Sequence, residues 1–307
     1  MRLVLFDDYR PGVLKDGHVV DVSAATSGLA VTGYRKLMPA IIEHFGQLKP
    51  AFERIAAAEV GRPVGQVRLR APNPAPPKLL ACFGNYGEVA RDKRPPQDMF
   101  FKNSDSVIGD GDTVELPPHK AKVFHHEAEF GIVIGKRCKG VSVADAPGAI
   151  FGYTAVVDLS GRGLTIAGNN SRMGKSFDGF APMGPCITTA DEISDPNDLQ
   201  VRFWVDGQLR QDYSTEGMEY SVPEVVNWAA QYLTLLPGDV ISCGTNHLGL
   251  GPLQDGEKAE MEIERVGKFH FFISDPSKRS WPKGVDTSAD NPIVRAGGQP
   301  YTPRQTS

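Results

Sequence analysis

Two glutamates stand two residues apart in the segment FHHEAEFGIVIG, which covers residues 124–135 and is otherwise rich in apolar and β-branched residues. Side chains alternate between the two faces of a β-strand, so His125, Glu127 and Glu129 would share one face. Two carboxylates so close together are costly inside a protein unless a proton or a cation lies between them. The pattern fits either an antiparallel strand with one solvent-exposed face or carboxylates that face a cleft and share a cation.

A third carboxylate stands at the end of a later hydrophobic segment. GYTAVVDLSGRG predicts a strand that ends at Asp158, and a strand end is a rigid support for a ligand. Together with Glu127 and Glu129, Asp158 would make an all-oxygen triad with positions open for water and substrate. Hard oxygen ligands favour Mg²⁺, Mn²⁺ or Ca²⁺ over zinc.

Lys175 lies in SRMGKSFDGFAPMGP, among glycine and serine and before a run rich in turns. A lysine in such a segment is more often a solvated surface residue. Beside a bound cation it would behave differently, because a nearby like charge lowers the pKa of an ammonium group and suits it to proton transfer or enolate stabilisation.

Composition narrows the classes of function. The chain has 307 residues and a net charge of -4, with no dominant basic stripe, which argues against a nucleic-acid partner. No apolar run approaches the ~20 residues of a membrane span, and the N-terminus turns acidic too early for a signal peptide. The four cysteines have no C-x-x-C spacing, which argues against both a zinc site and a disulfide framework. We therefore expect a cytoplasmic protein with no membrane partner.

The elements that must position these residues are mostly strands. Residues 1–70 predict a small α+β domain, with a hairpin around LKDG followed by two helices, and the proline-dense residues 71–78 predict a linker. Strand signals dominate residues 79–274, interrupted by a helix with Ser221 as N-cap and Pro223 in its first turn. Residues 275–307 are polar and proline-rich, and we expect an arm that packs on a partner subunit or on the small domain.

The ordered motifs FFKNSDSVIGDGDTVELP, HHEAEFGIVIGK, IFGYTAVVDLSGR, MGKSFDGFAPMGP, VDGQLRQ, LLPGDVISCGT and LGLGP resemble those of the fumarylacetoacetate hydrolase family. The resemblance covers roughly residues 79–274. It implies an α+β, mostly β fold, a mixed β-sandwich-like roll with a small N-terminal domain, usually assembled as a homodimer. It also implies a small-molecule substrate, a 2-oxo or 2,4-dioxo acid, that is hydrolysed at a C–C bond, decarboxylated, isomerised or dehydrated.

The same resemblance implies roles for individual residues. Mg²⁺ or Mn²⁺, or possibly Ca²⁺, would be held by Glu127, Glu129 and Asp158. Lys175 matches the active-site lysine of the family, and Arg162 matches an arginine that is structural rather than catalytic. The substrate-binding candidates are Tyr86, Gly244 and Thr245, with Thr245 holding the substrate carboxylate.

One motif departs from the family pattern. Many small hydrolases of the family carry N-Y-x-x-H-x-x-E on a lid, where the His–Glu pair activates water. In NYGEVARD, Val89 replaces the histidine and Asp92 replaces the glutamate, so this route to hydrolysis is broken. His247 follows Thr245 in a loop and could replace the missing base, or could be a loop histidine without a role. We still expect residues 85–98 to form a mobile lid.

The sequence therefore predicts a divalent-metal-dependent hydrolase that cleaves a C–C bond in a 2,4-dioxo acid, with Lys175 and His247 as catalytic residues. Metal chelation with Lys175 is also sufficient for a decarboxylase, isomerase or dehydratase of 2-oxo acids. A third possibility is a family member with weakened turnover that serves as a metal- or ligand-binding protein, an alternative that Val89 favours.

Overall fold

The N-terminal segment is an antiparallel meander followed by two helices. The computed structural model of the chain describes residues 1–88, 93–166, 169–170 and 172–300. The first elements are β1 (Arg2–Phe6), β2 (Arg10–Lys15), β3 (His18–Asp21), α1 (Leu37–Glu43), α2 (Phe45–Ala58), β4 (Arg62–Pro63) and β5 (Leu69–Arg70). The predicted hairpin around LKDG is confirmed, because β2 and β3 pair across Asp16 and Gly17, which both have positive φ as a tight hairpin turn requires.

The middle and C-terminal parts of the chain are dominated by strands. These are β6 (Leu79–Phe83), β7 (Asp98–Lys102), β8 (Val107–Ile108), β9 (Thr113–Glu115), β10 (Val123–His125), β11 (Ala128–Ile134), β12 (Ile150–Val157), β13 (Ser160–Arg162), β14 (Thr165–Ile166), β15 (Asn169–Asn170), β16 (Ala181–Thr189), β17 (Gln200–Val205), β18 (Gln208–Ser214), β19 (Val240–Ser242), β20 (Lys258–Ile263) and β21 (Gly267–Ser274). The remaining α-helices are α3 (Val222–Tyr232) and α4 (Pro292–Arg295). Short 3-10 helices include Arg172–Lys175 and Thr215–Gly217.

Most strands belong to one large sheet. Its order is β4-β3-β2-β1-β16-β12-β11-β19-β6-β7, with β5 beside β1 and β8 beside β16. Strand β1 pairs antiparallel with β16, so the N-terminal segment continues the sheet that carries the carboxylates. The division of the chain at residues 71–78 stays a prediction.

A second sheet, β18-β17-β20-β21-β9, packs on one face of the large one. In the large sheet, Ile132 and Ile241 belong to the core shared with the second sheet, whereas Val133 and Val240 belong to the core formed with Phe52 of α2. This alternation is the two-residue period of a sheet that is buried on both faces. The structure confirms the predicted sandwich-like, mostly β fold, with the sheet covered on its other face by α1 and α2.

Helix α3 confirms the predicted start signal. Ser221 is the N-cap, Pro223 lies in the first turn, and Glu224 completes a capping box by accepting the Ser221 backbone N–H at 2.8 Å. A capping box satisfies backbone donors that have no partner within the helix. The capping box thus fixes the N-terminal end of α3, close to the segment that follows Asn85.

The C-terminal arm, residues 275–300 in the described structure, lies on residues 79–274 of its own chain. Trp281 packs edge-on against Phe124 with ring centroids 6.0 Å apart, and Ile293 is 2% exposed. The backbone N–H of Asp286 donates to the carbonyl of Leu250 at 2.8 Å. The apolar anchors Trp281 and Ile293 thus attach the arm to residues 79–274 of its own chain, a contact that was not expected, and packing on a partner subunit or on the small domain stays a prediction.

Candidate metal centre and active-site cavity

The three predicted carboxylates converge. Glu129 lies on β11, which pairs with β12, and Asp158 directly follows β12. The backbone N–H of Asp158 donates to the carbonyl of Glu127 at 2.8 Å, which brings the two side chains to the same place. One ligand atom from each carboxylate lies within 4.8 Å of the others, and each residue is at most 3% exposed. The carboxylates are thus buried rather than on a solvent-exposed face, whereas the shared cation stays a prediction.

Lys175 joins this cluster. Its Nζ lies 2.6 Å from Oε2 of Glu127 and 2.5 Å from Oδ2 of Asp158. Burial favours a lower pKa for the Lys175 ammonium, but the carboxylates of Asp158 and Glu127 outweigh it and raise the pKa above its usual value. The lowered pKa expected from the sequence assumed a neighbouring cation. Without that like charge the carboxylates dominate, and the surface interpretation of Lys175 is wrong.

The carboxylates of the triad differ in their surroundings. Burial works to raise the pKa of Glu127, but Lys175 and Arg162 outweigh it and hold the pKa well below its usual range. Glu129 accepts from Ser242 Oγ at 2.6 Å and from the Gly244 N–H at 2.8 Å, yet burial and the neighbouring carboxylates raise its pKa to about 8. Three clustered carboxylates could hold Mg²⁺ or Mn²⁺, cations that prefer oxygen ligands.

A second buried lysine, which the sequence analysis did not single out, also contacts the triad. Lys102 on β7 is 3% exposed, and its Nζ lies 2.6 Å from Oδ1 of Asp158 and donates to the carbonyl of Lys175. Burial lowers the pKa of this ammonium. Lys102 follows Phe100 on the same buried side of β7, and that parity was the signal that could have identified it.

Arg162 contacts both Glu127 and His125. Nη2 of Arg162 donates to Oε1 of Glu127, and Nε of Arg162 donates to Nδ1 of His125 at 3.3 Å. Because the guanidinium only donates, Nδ1 is the acceptor, and the neutral imidazole carries its proton on Nε2. That atom lies 2.8 Å from Oδ2 of Asp286. Burial lowers the pKa of His125, in keeping with a neutral ring.

His126 points to the other side of the strand. It is fully buried, its ring stacks on Phe203 at 4.3 Å, and its Nδ1 lies 2.9 Å from Oε1 of Gln211. Burial lowers its pKa to about 3. His126 is therefore a packed core histidine.

The triad opens into a cavity of about 590 Å³. Lys175, Arg162, Gly244, Thr245, His247 and Glu88 line it, together with residues 292–296 of the arm. Thr245 is 3% exposed, and its Oγ1 accepts from Nε2 of Gln211 at 2.8 Å. The hydroxyl itself donates to the Asn246 carbonyl at 3.5 Å, a long hydrogen bond that an acceptor of a ligand in the cavity could replace.

His247 is held in the cavity by Glu88. Oε1 of Glu88 lies 2.6 Å from both the backbone N and Nδ1 of His247. With Nδ1–H donated to the carboxylate, Nε2 is left as the basic nitrogen. The sequence analysis proposed His247 but missed Glu88, because the two residues lie on separate loops.

Two other sequence-based expectations concern Tyr86 and the lid. Tyr86 is not among the described residues that line the cavity, because its ring is buried 5.1 Å from that of Tyr213, and its role in substrate binding stays a prediction. Val89 and Asp92 lie outside the described residues, so the mobile lid at residues 85–98 stays a prediction. Within the described ranges, every helix is too short or too polar to cross a bilayer.

Comparison with known proteins defines the class. The family model for the fumarylacetoacetate (FAA) hydrolase C-terminal domain matches residues 78–273. The chain therefore belongs to the fumarylacetoacetate hydrolase family. Its relatives in this family include hydrolases, isomerases and tautomerases.

Three proteins illustrate this similarity in structure or sequence. Maleylpyruvate hydrolase from Sphingobium sp. SYK-6, in complex with manganese(II) and pyruvate, is 33% identical, with a TM-score of 0.81 over 90% of this chain and 99% of that one. A 2-hydroxyhepta-2,4-diene-1,7-dioate isomerase from Mycobacterium marinum is 36% identical, with a TM-score of 0.63 over 71% and 83%. A mitochondrial oxaloacetate tautomerase of Bos taurus is 33% identical over 67% of this chain and 69% of the tautomerase.

Proposed function

We propose that this protein is a divalent-metal-dependent hydrolase that cleaves a C–C bond in a 2,4-dioxo acid of the acylpyruvate type. The observation that carries the proposal is the position of His247, held by Glu88, in the same cavity as the carboxylate triad. Hydrolysis needs a base for water in addition to a cation and a carboxylate clamp, and this pair is an oriented base. The similarity to maleylpyruvate hydrolase supports the same reaction class.

Mg²⁺ or Mn²⁺ held by Glu127, Glu129 and Asp158 would supply Lewis-acid stabilisation of the negative charge that develops on the 2-oxo group. The Thr245 hydroxyl would donate to the substrate carboxylate, with the Gly244 backbone beside it. These contacts would orient the 2,4-dioxo acid with its acyl group toward His247.

His247 would start the reaction by accepting a proton at Nε2 from water, whose oxygen bonds to the acyl carbonyl carbon. The bond between that carbon and the methylene carbon of the pyruvate unit then breaks, and the electron pair stays on the pyruvate unit as an enolate. Lys175 would deliver a proton to the methylene carbon, which gives pyruvate and a carboxylic acid. Glu88 would stabilise the imidazolium that forms, as a carboxylate does behind other catalytic histidines.

A second candidate function is the tautomerisation, or another enolate reaction, of a 2-oxo acid, including decarboxylation or dehydration. Lys175 favours it, because its Nζ lies within 2.6 Å of two triad carboxylates and could move a proton without any activated water. The similarity to an oxaloacetate tautomerase supports the same candidate. A protein that only binds metal would need neither Lys175 nor an oriented histidine.

One experiment separates these functions. The Mn²⁺-loaded protein is incubated with a panel of acylpyruvates and with oxaloacetate, and products are identified by NMR. We expect pyruvate and a carboxylic acid from an acylpyruvate, and loss of this cleavage in His247→Ala. Enol–keto exchange or CO₂ release without cleavage would establish the second candidate instead, and no turnover on any substrate would favour a binding protein.

A further inference from the structure

The C-terminal arm is connected to the carboxylate triad through His125. Asp286 lies on this arm, and its side chain is 13% exposed where it meets the fully buried His125. The family model ends at residue 273, before the arm begins. Asp286 is therefore a contribution to the site from outside the matched segment.

Three hydrogen bonds connect Asp286 to a triad carboxylate. Oδ2 of Asp286 accepts from Nε2 of His125 at 2.8 Å, and Nδ1 of His125 accepts from Nε of Arg162 at 3.3 Å. Nη2 of the same guanidinium then donates to Glu127. Every polar atom on this path faces one defined partner, so each group fixes the orientation of the next.

The arm around Asp286 is itself held in place. The N–H of Asp286 donates to the Leu250 carbonyl at 2.8 Å, and Asn291 donates from Nδ2 to the Asp286 carbonyl at 2.7 Å. Asn291 also caps α4, whose residues line the cavity. The arm thus contacts His125 through Asp286 and lines the cavity through α4.

We propose that Asp286 is a positioning residue that couples docking of the C-terminal arm to cation binding at the carboxylate triad. A docked arm holds His125 and Arg162 so that Glu127 stays fixed through Oε1, while Oε2, which Lys175 contacts at 2.6 Å, keeps its place beside the other two carboxylates. By linkage, a cation that binds the docked form more tightly stabilises docking by the same factor. The proposal depends on metal binding at the triad and is independent of which reaction the enzyme catalyses.

The first test measures Mn²⁺ affinity by calorimetric titration of the full-length protein. We expect Asp286→Ala to raise the Kd about tenfold, the usual size for the loss of a group behind a metal ligand, and Asp286→Asn to have a smaller effect because it keeps an acceptor for His125. Asp290→Ala is the matched control, since Asp290 lies on the same arm but pairs with the exposed Lys122 at 3.4 Å. Its Kd should equal that of the wild type.

A double mutant separates positioning from general destabilisation. If Asp286 acts through His125, the effects of Asp286→Ala and His125→Gln on the Kd should not multiply in the double mutant. Should Asp286→Ala fail to fold, Asp286→Asn carries the same comparison. Independent effects, or a Kd within twofold of wild type in both Asp286 variants, would overturn the proposal.

The second test reads the arm directly. Hydrogen exchange with and without Mn²⁺ should show slower exchange of arm amides, including those of Asp286 and Asn291, when the cation is bound. The hairpin formed by β2 and β3 is the internal control and should be unchanged. Equal exchange of the arm in both states, or a wild-type protein that binds no Mn²⁺, contradicts the coupling.

Discussion

Glu88 and His247 are joined through a single carboxylate oxygen, which lies 2.6 Å from both the backbone N and Nδ1 of the histidine. The two residues are 159 positions apart in the chain. The pair consists of a histidine and a glutamate, the two residue types of the family's lid motif that Val89 and Asp92 replace here. In this chain the two residues come from different loops.

The Glu88–His247 pair predicts a graded loss of hydrolysis. His247→Ala should lower kcat by ~10²–10⁴, the usual size of a general-base contribution, while Mn²⁺ affinity stays close to wild type. Glu88→Gln should lower kcat less, because the imidazole remains and loses only its orientation and charge support. His44→Ala, at an exposed histidine, is the control for steady-state kinetics. Hydrolysis by His247→Ala within a fewfold of wild type would assign the base to another group.

Replacement of Glu129 tests the cation site. Glu129→Gln keeps the shape and an acceptor for Ser242 and Gly244, so the metal-free protein should melt close to the wild-type temperature. It should lose metal-dependent turnover and the rise in melting temperature that Mn²⁺ gives the wild type. Calorimetry with and without Mn²⁺ measures both effects. Full turnover of this variant without added metal would show that the triad is not the metal site.

Lys102 predicts a large stability effect that depends on metal. Removal of Lys102 leaves the three buried carboxylates with only Lys175 and Arg162 as basic partners among the described residues, so Lys102→Met should lower the free energy of unfolding by roughly 3 kcal/mol in metal-free protein. Bound Mn²⁺ should reduce this loss, because it gives Asp158 another positive charge. The control is Lys49→Met, whose partner Asp191 is exposed and whose pair should contribute less than ~1 kcal/mol. Similar urea midpoints for the two variants would contradict the prediction.

Glu224 predicts a pH dependence of stability. The hydrogen bond from Arg94 outweighs burial and lowers the pKa of Glu224 from its usual 4.5 to about 2. A carboxylate with a lowered pKa contributes stability above its unfolded pKa, and the contribution is lost as the pH falls from about 4.5 toward 2.

The variant Glu224→Gln tests this sign. Because Glu224 is partly exposed, its loss should cost only about 1 kcal/mol near pH 7. Urea unfolding at pH 7, 5 and 3 should show the wild type and Glu224→Gln converging at the lowest pH. Glu53→Gln, at an exposed glutamate of α2, is the control. A difference that stays constant down to pH 3 would mean that the Glu224 charge does not stabilise the fold.

The sequence was sufficient for the triad because strand alternation is a local rule. The two-residue spacing of Glu127 and Glu129 and the strand that ends at Asp158 already specify which side chains share a face. The capping box of Ser221 and Glu224 is equally local, and it is formed as predicted. Family motifs added the role of Lys175, which composition alone assigned to the surface.

Contacts between distant loops were beyond such rules. Neither Glu88 nor Asp286 lies in a periodic pattern, and each meets its histidine only because the sheets bring separate loops together. The contact of the arm with Phe124 was not predicted for the same reason: its anchors Trp281 and Ile293 are single apolar residues in a polar segment, with no periodic pattern that would indicate what they pack against.

The backbone hydrogen bond from Asp158 to Glu127 also limits how the chain length can change. One residue inserted within β12 would reverse the parity of the strand and carry the Asp158 side chain to the opposite face of the sheet. The connection at residues 135–149 leaves the other end of β11, far along both strands from the ligands. Insertions in that connection would leave the strand register unchanged, so natural variation in length can accumulate there while β12 keeps a fixed number of residues.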